Sequence, residues 1–82
     1  MTYEFELKPR AFKDLQALPK PTQRRIVAKI EGLANNLAGD VKRLTNFTPE
    51  YRLRVGDYRV LFEVDGDKLI MYRILHRKDA YR

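Results

Sequence analysis

The last third of the chain holds three strand-like runs, Tyr51–Val55, Tyr58–Val64 and Lys68–His76, separated only by glycine-bearing loops. Gly56-Asp57 is a two-residue spacer of the kind that closes a tight hairpin. It sets Val55 opposite Tyr58 and Arg54 opposite Arg59, and cross-strand partners share a face. Arg52 lies two residues back on that same face. Tyr51, Leu53, Val55, Tyr58, Val60, Phe62 and Val64 take the other face, which reads as the core side. One sheet therefore carries an apolar face and an arginine face.

The second spacer, Asp65-Gly66-Asp67, leaves two registers open. A two-residue loop pairs Val64 with Asp67 and sends Leu69, Met71 and Arg73 into the core. A three-residue loop pairs Val64 with Lys68 and sends Ile70, Tyr72 and Ile74 there instead. Burying an unpaired arginine costs several kcal/mol, so the three-residue loop is expected. Arg73 then joins Arg52, Arg54 and Arg59, and Arg77 follows on the same parity if the strand continues.

The N-terminal half has a different period. Thr2–Leu7 alternates as a half-buried strand, with Tyr3, Phe5 and Leu7 on one side. Pro9 suits a helix first turn, and Phe12, Leu15 and Leu18 follow at spacing three. Pro19 and Pro21 close this helix and open another, whose apolar stripe is Ile26, Ile30, Leu33 and Leu37, with Val27 and Ala34 beside it. Arg24, Arg25 and Lys29 fall off the stripe and are expected in solvent. Val41–Leu44 reads only as a short extended segment. The expected fold is α+β in the order β-α-α-β-β-β, with an αα-hairpin packed on one face of a small, mostly antiparallel sheet. The expected core is Phe12, Leu15, Ile26, Ile30, Leu33, Leu53, Val60, Phe62, Ile70 and Ile74.

A chain of 82 residues allows one domain, spanning 1–82. No apolar run is long enough to cross a bilayer, and acids stand where a signal peptide has bases. A cytoplasmic protein with no membrane partner is the expectation. The formal charge of +6, from 17 Lys+Arg against 11 Asp+Glu, points to a polyanionic partner, either nucleic acid or an acidic protein. The bland alternative is a solvated basic surface. Arginines gathered on one sheet face repel each other, so folding gains nothing from them, whereas guanidinium forks fit phosphate well.

Other chemistry is sparse. There is no cysteine, no serine and one histidine. Asp65-Gly66-Asp67 reads as a turn, so neither a metal nor any other cofactor is expected. His76 has the ordinary pKa range for proton transfer and ends a strand beside the basic face, although a lone histidine is more often structural. Tyr81 either packs the tail or stacks on a base. Phosphodiester cleavage by such a set uses the RNA's own 2′-hydroxyl, with arginines stabilising the transition state. DNA lacks that hydroxyl.

Together these segments resemble the RelE/ParE toxin superfamily over essentially the whole chain. The strand followed by Pro9-Arg10-Ala11-Phe12-Lys13-Asp14-Leu15 opens the match, and Lys42-Arg43-Leu44 continues it. The block from Tyr51-Arg52-Leu53-Arg54 through Val64 is its most specific part, and His76-Arg77-Lys78-Asp79-Ala80-Tyr81-Arg82 closes it. The resemblance implies a RelE-like fold and the toxin of a type II toxin–antitoxin pair, an endoribonuclease that cleaves mRNA in the ribosomal A site. Its implied partners are an acidic cognate antitoxin, the ribosome and mRNA, and operator DNA only through the toxin–antitoxin complex.

The family's catalytic positions map onto Arg52, Arg54, Arg59, Arg77 and Tyr81, with His76 as a candidate proton-transfer group. Arg73 and Lys78 join Arg52, Arg54 and Arg59 as expected RNA-phosphate ligands. Well-known RelE-like toxins have lysines where this chain has Arg52 and Arg54. Arginine does not give up its proton, so neither serves as general base. ParE-like members share the fold but inhibit DNA gyrase without catalysis, and an inactive relative that binds only antitoxin or operator DNA is the third alternative.

Overall fold

The computed structural model describes residues 2–36, 39–44 and 49–80. The elements are β1 (Glu4–Leu7), α1 (Pro9–Gln16), α2 (Lys20–Asn36), β2 (Asp40–Arg43), β3 (Tyr51–Val55), β4 (Tyr58–Asp65) and β5 (Lys68–His76). They build a five-stranded mixed sheet in the order β1-β5-β4-β3-β2. The two helices carry the chain from β1 at one edge to β2 at the other. An antiparallel meander then leads back until β5 pairs in parallel with β1.

This corrects the expected order β-α-α-β-β-β, which lacked β2. In Asp40-Val41-Lys42-Arg43 only Val41 is apolar, so four residues give no visible alternation. The strand exists through its backbone ladder to β3, Val41 opposite Leu53 and Lys42 opposite Arg52. Its charged residues suit a sheet edge.

Lys8 precedes Pro9 with ψ 154°, the extended conformation that proline imposes on its neighbour, and Pro9 starts α1 where no N–H is required. The expected stripe of Phe12 and Leu15 is rotated by one position. Ala11 and Leu15 are buried and Leu18 is partly buried, whereas Phe12 is 49% exposed. The inward stripe is 11, 14, 15 and 18. Its second member is an aspartate, so reading apolar residues alone misplaces it. After α1, Gln23 Nε2 donates to Leu18 O at 2.8 Å and ties the link to α2. Ile26, Ile30 and Leu33 of α2 are fully buried. Leu37 lies outside the described residues.

The core forms between the helices and one face of the sheet. Ile26, Ile30 and Leu33 join Leu53, Val60, Phe62, Leu69 and Met71 there. Tyr51 stacks on Phe62, with ring centroids 5.5 Å apart. The β3–β4 register sets Val55 opposite Tyr58 and Arg54 opposite Arg59.

The β4–β5 register is neither of the two considered. Asp65 pairs with Lys68 around Gly66, which has φ 62°, so Leu69 lies opposite Val64 and Met71 opposite Phe62. Leu69 and Met71 fill the core, and Ile70 is only partly buried. A β-bulge then intervenes. Arg73, not Tyr72, pairs with Leu61, and Ile74 returns to the core opposite Val60. Excluding Leu69 and Met71 from the core because Arg73 shares their parity assumed unbroken alternation, and the bulge breaks it.

Candidate functional site: the arginine face of the sheet

Pleating leaves two cross-strand rows on the sheet face away from the helices. One runs Lys42, Arg52, Leu61, Arg73; the next runs Arg54, Arg59, Leu75. Arg52, Arg54 and Arg59 therefore stand side by side, with Lys42 exposed at the edge. Leu61 and Ala80 are buried yet lie outside the helix-side cluster.

The three arginines differ in burial. Arg54 is exposed and Arg52 half-buried, whereas Arg59 is only 8% exposed. Arg59 Nη1 donates to Gly56 O at 2.9 Å and to Tyr58 O at 3.0 Å, clasping the β3–β4 turn. Its Nε is buried with no hydrogen-bond partner among the described residues. A guanidinium this buried acts through a low dielectric on whatever binds over Arg54.

Arg73 belongs to a different arrangement. Its Nε donates to Asp14 Oδ2 at 2.8 Å and its Nη2 to Asp14 Oδ1 at 3.2 Å. Burial acts to raise the Asp14 pKa. The hydrogen bonds from Arg73 and the Ile74 N–H outweigh it, together with the charges of Arg73 and Arg10, and hold the carboxyl below the usual range. The Asp14 hydrogen bond likewise raises Arg73 above its ordinary value, against the effect of burial. The pair borders an open cleft of about 420 Å³ lined by Pro9, Arg10, Lys13, Asp14 and Arg73.

His76 is not brought together with Arg54 and Arg59. It pairs with Tyr58, on the helix-side row, and their rings meet edge to face at 5.5 Å. Its Nδ1 accepts from the Lys78 N–H at 3.4 Å. Arg77 follows the strand; its N–H donates to Asp57 O at 2.8 Å, and its Nε lies 4.0 Å from Asp57 Oδ1. Both side chains are mostly exposed, so that ion pair contributes little. Lys78 is exposed, and Tyr81 lies outside the described residues. Among the described residues no cluster of metal-ligating side chains occurs, and no helix is long and apolar enough to cross a membrane.

Sequence reasoning missed Asp14 and Arg25. Asp14 was visible only as part of a matching segment. Arg25 was read as solvated, yet its guanidinium lies over Gly56 at the tip of the β3–β4 hairpin.

With this geometry in place, comparison with known proteins decides the family. The model of the family described as "ParE toxin of type II toxin-antitoxin system, parDE" matches residues 5–81. The chain belongs to that family. It is a RelE/ParE-superfamily toxin, and the resemblance read from its segments agrees. The Toxin RelE3 of Methanocaldococcus jannaschii is 40% identical to it over 74 residues, 84% of each protein. Among solved structures, a RelB–RelE antitoxin–toxin complex from Methanococcus jannaschii matches with TM-score 0.75 and 37% identity, covering 92% of this chain and 93% of that one. An archaeal RelE–RelB complex from Pyrococcus horikoshii OT3 matches with TM-score 0.80 and 30% identity, covering 98% and 100%. In this chain the fold carries the arginine face on the side of the sheet away from the helices.

Proposed function

We propose that this toxin is a ribosome-dependent, metal-independent endoribonuclease that cleaves mRNA in the A site, inhibits translation and is neutralised by a cognate acidic antitoxin. The observation that carries the reading is the juxtaposition of Arg52, Arg54 and buried Arg59 on one open sheet face. In the reaction the 2′-oxygen attacks the adjacent phosphorus. A 2′-O–P bond forms and the bond to the 5′-oxygen breaks, leaving a 2′,3′-cyclic phosphate and a 5′-hydroxyl.

Negative charge grows on the phosphorane oxygens, and preorganised cations stabilise it more than they stabilise the ground state. Arg52 and Arg54 hold the phosphate, and Arg59 adds its buried charge from beneath. His76 lies on the opposite, helix-side row beside Tyr58, so the 2′ proton passes to solvent water and the reaction relies on positioning and charge stabilisation by the arginines. Arg77 and Lys78 contact the flanking phosphates. Tyr81 stacks on a base or protonates the leaving oxygen. Arg73 is left out of the reacting set because Asp14 holds its guanidinium.

The antitoxin reading has its own support. Relatives are found in complex with antitoxins, the toxin carries a formal charge of +6, and Phe5 and Phe12 are exposed. A groove of about 730 Å³ beside Tyr3, Phe5, Gly32 and Ala34 suits an apolar anchor. An acidic segment then gains on-rate from charge and lifetime from such anchors.

A second reading is a ParE-like, non-catalytic gyrase inhibitor. It is favoured by the match to the ParE toxin model and by the separation of His76 from the arginines. Ribosomes stalled on a defined mRNA provide the test. The endoribonuclease reading expects cleavage within the A-site codon in the presence of a chelator, and unchanged gyrase supercoiling. Intact mRNA together with inhibited gyrase would establish the second reading instead.

A further inference from the structure

The tip of the β3–β4 hairpin collects three arginines from three parts of the chain. Arg59 reaches it from β4 through the Gly56 and Tyr58 carbonyls. Arg77 reaches it from the end of β5 through Asp57. Arg25 reaches it from α2: a Cβ built on Gly56 would lie 3.1 Å from both Nη1 and Nη2 and 3.2 Å from Cζ. Three guanidinium atoms nearly equidistant from one point mean that the plane lies face-on over the glycine. A guanidinium donates in its own plane, so face-on packing over Gly56 does not use its N–H groups. Glycine favours it, because φ is +57° and a Cβ would push the guanidinium back by a few tenths of an ångström.

Exposed arginines of a helix normally sweep through solvent, and three guanidinium groups around one turn repel. Asp57 is the only acid of the turn, and it is already near Arg77. Such a cluster gains stability once an anion sits in it. Strand rise puts Gly56 about 7 Å beyond Arg54, so a strand bound over Arg54 continues naturally across the tip. We propose that Arg25 is an RNA-binding residue, which with Arg77 clamps one phosphodiester next to the phosphate held by Arg52 and Arg54. The inference rests on the endoribonuclease reading and assigns Arg25 a phosphate-binding role, not a catalytic one. A guanidinium whose N–H groups are not spent on Gly56 suits bidentate phosphate recognition.

Binding of a labelled oligouridine by the full chain across a salt series tests this, comparing wild type with Arg25→Gln, Arg25→Lys, Arg54→Gln and the neighbouring Arg24→Gln. Arg25→Gln should weaken binding about fivefold at low salt and lower the log–log salt slope by about one. Arg25→Lys should restore the slope but not the full affinity. Arg24→Gln should behave as wild type, and thermal melting should show all four variants folded. An unchanged slope for Arg25→Gln, with Arg54→Gln clearly weakened, overturns the role of Arg25 and leaves the RNA reading standing. Failure of wild type to bind the oligouridine at all overturns the phosphate clamp, whereas intact mRNA on stalled ribosomes is what overturns the endoribonuclease reading.

Discussion

Asp14 of α1 stands in for a missing strand beside β5. The β1 ladder ends where the Lys8 N–H donates to Met71 O at 2.9 Å, and the chain then leaves for α1. Three residues further along β5, the Ile74 N–H finds Asp14 Oδ2 at 3.0 Å, and Arg73 grips the same carboxylate with two nitrogens. The carboxylate thus satisfies the backbone just past the bulge and fastens helix to sheet.

Replacing Asp14 by Asn removes a charge-assisted pair and leaves Arg73 without its carboxylate. Its side chain is only 31% exposed, and that of Asp14 is 17%. Charge-assisted hydrogen bonds contribute about 1.5–3 kcal/mol each, so the expected loss is about 2 kcal/mol in urea denaturation. The acid response has a definite sign. The folded Asp14 pKa is lowered, so its contribution is fully present above the unfolded value of about 3.9. It fades as pH falls through the folded pKa. Wild type should therefore lose its advantage over Asp14→Asn on acidification below about pH 4, and an equal gap at all pH values would contradict this.

Arg54 and Arg59 face each other yet should respond differently to alanine. Exposed Arg54 should change stability by no more than about 0.5 kcal/mol. Removing its cation from a developing phosphorane should cost about 3–4 kcal/mol in rate, a factor of about 150 to 900. Arg59 binds two turn carbonyls and is buried, so Arg59→Ala should lower both activity and stability, the latter by about 2 kcal/mol. Paired denaturation curves and single-turnover cleavage separate the two. Equal stability of both variants would show that the Arg59 clasp does not hold the turn.

His76→Ala removes the edge-to-face contact with Tyr58 and should destabilise by about 1 kcal/mol. With the 2′ proton passing to water, cleavage and ribosome affinity should both stay within a few-fold of wild type. A fall in cleavage of about a hundredfold or more, the contribution of general base catalysis, at unchanged ribosome affinity would return the proton to the imidazole.

Gly56→Ala and Gly66→Ala form a matched pair. Both glycines sit at positive φ, 57° and 62°, where a Cβ costs about 1–2 kcal/mol. Only Gly56 has a neighbour in the way, the Arg25 guanidinium; a Cβ at Gly66 meets nothing within 4 Å. Both variants should melt earlier, but only Gly56→Ala should also lose RNA affinity.

Much of the sheet was readable because a two-residue spacer fixes pairing by arithmetic. Gly56-Asp57 alone placed Arg52, Arg54 and Arg59 on a common face away from the helices. What escaped depended on tertiary partners. Strand β2 has one apolar residue and is defined by its ladder to β3. The α1 stripe contains Asp14, whose partner is 59 residues away. The bulge at Tyr72 lets Leu69, Met71 and Ile74 all reach the core, which no uniform alternation allows. His76 shares the parity of Ile74, so its place on the row of Tyr58 already followed from the alternation that put Arg73 and Arg77 on the other face. Arg25 looked solvated because helical periodicity says nothing about a hairpin tip that comes to lie beneath it.

Cutting of mRNA by the arginine face leaves a direct trace in the cell. Its most direct test is to induce the toxin from a tight promoter and map new mRNA 5′ ends across the transcriptome, with Arg54→Ala as the control. The account predicts new ends within codons of translated messages, carrying 5′-hydroxyls, within minutes of induction and absent from the control. Growth arrest by wild type with no new ends, and with relaxed DNA and an SOS response, would contradict it.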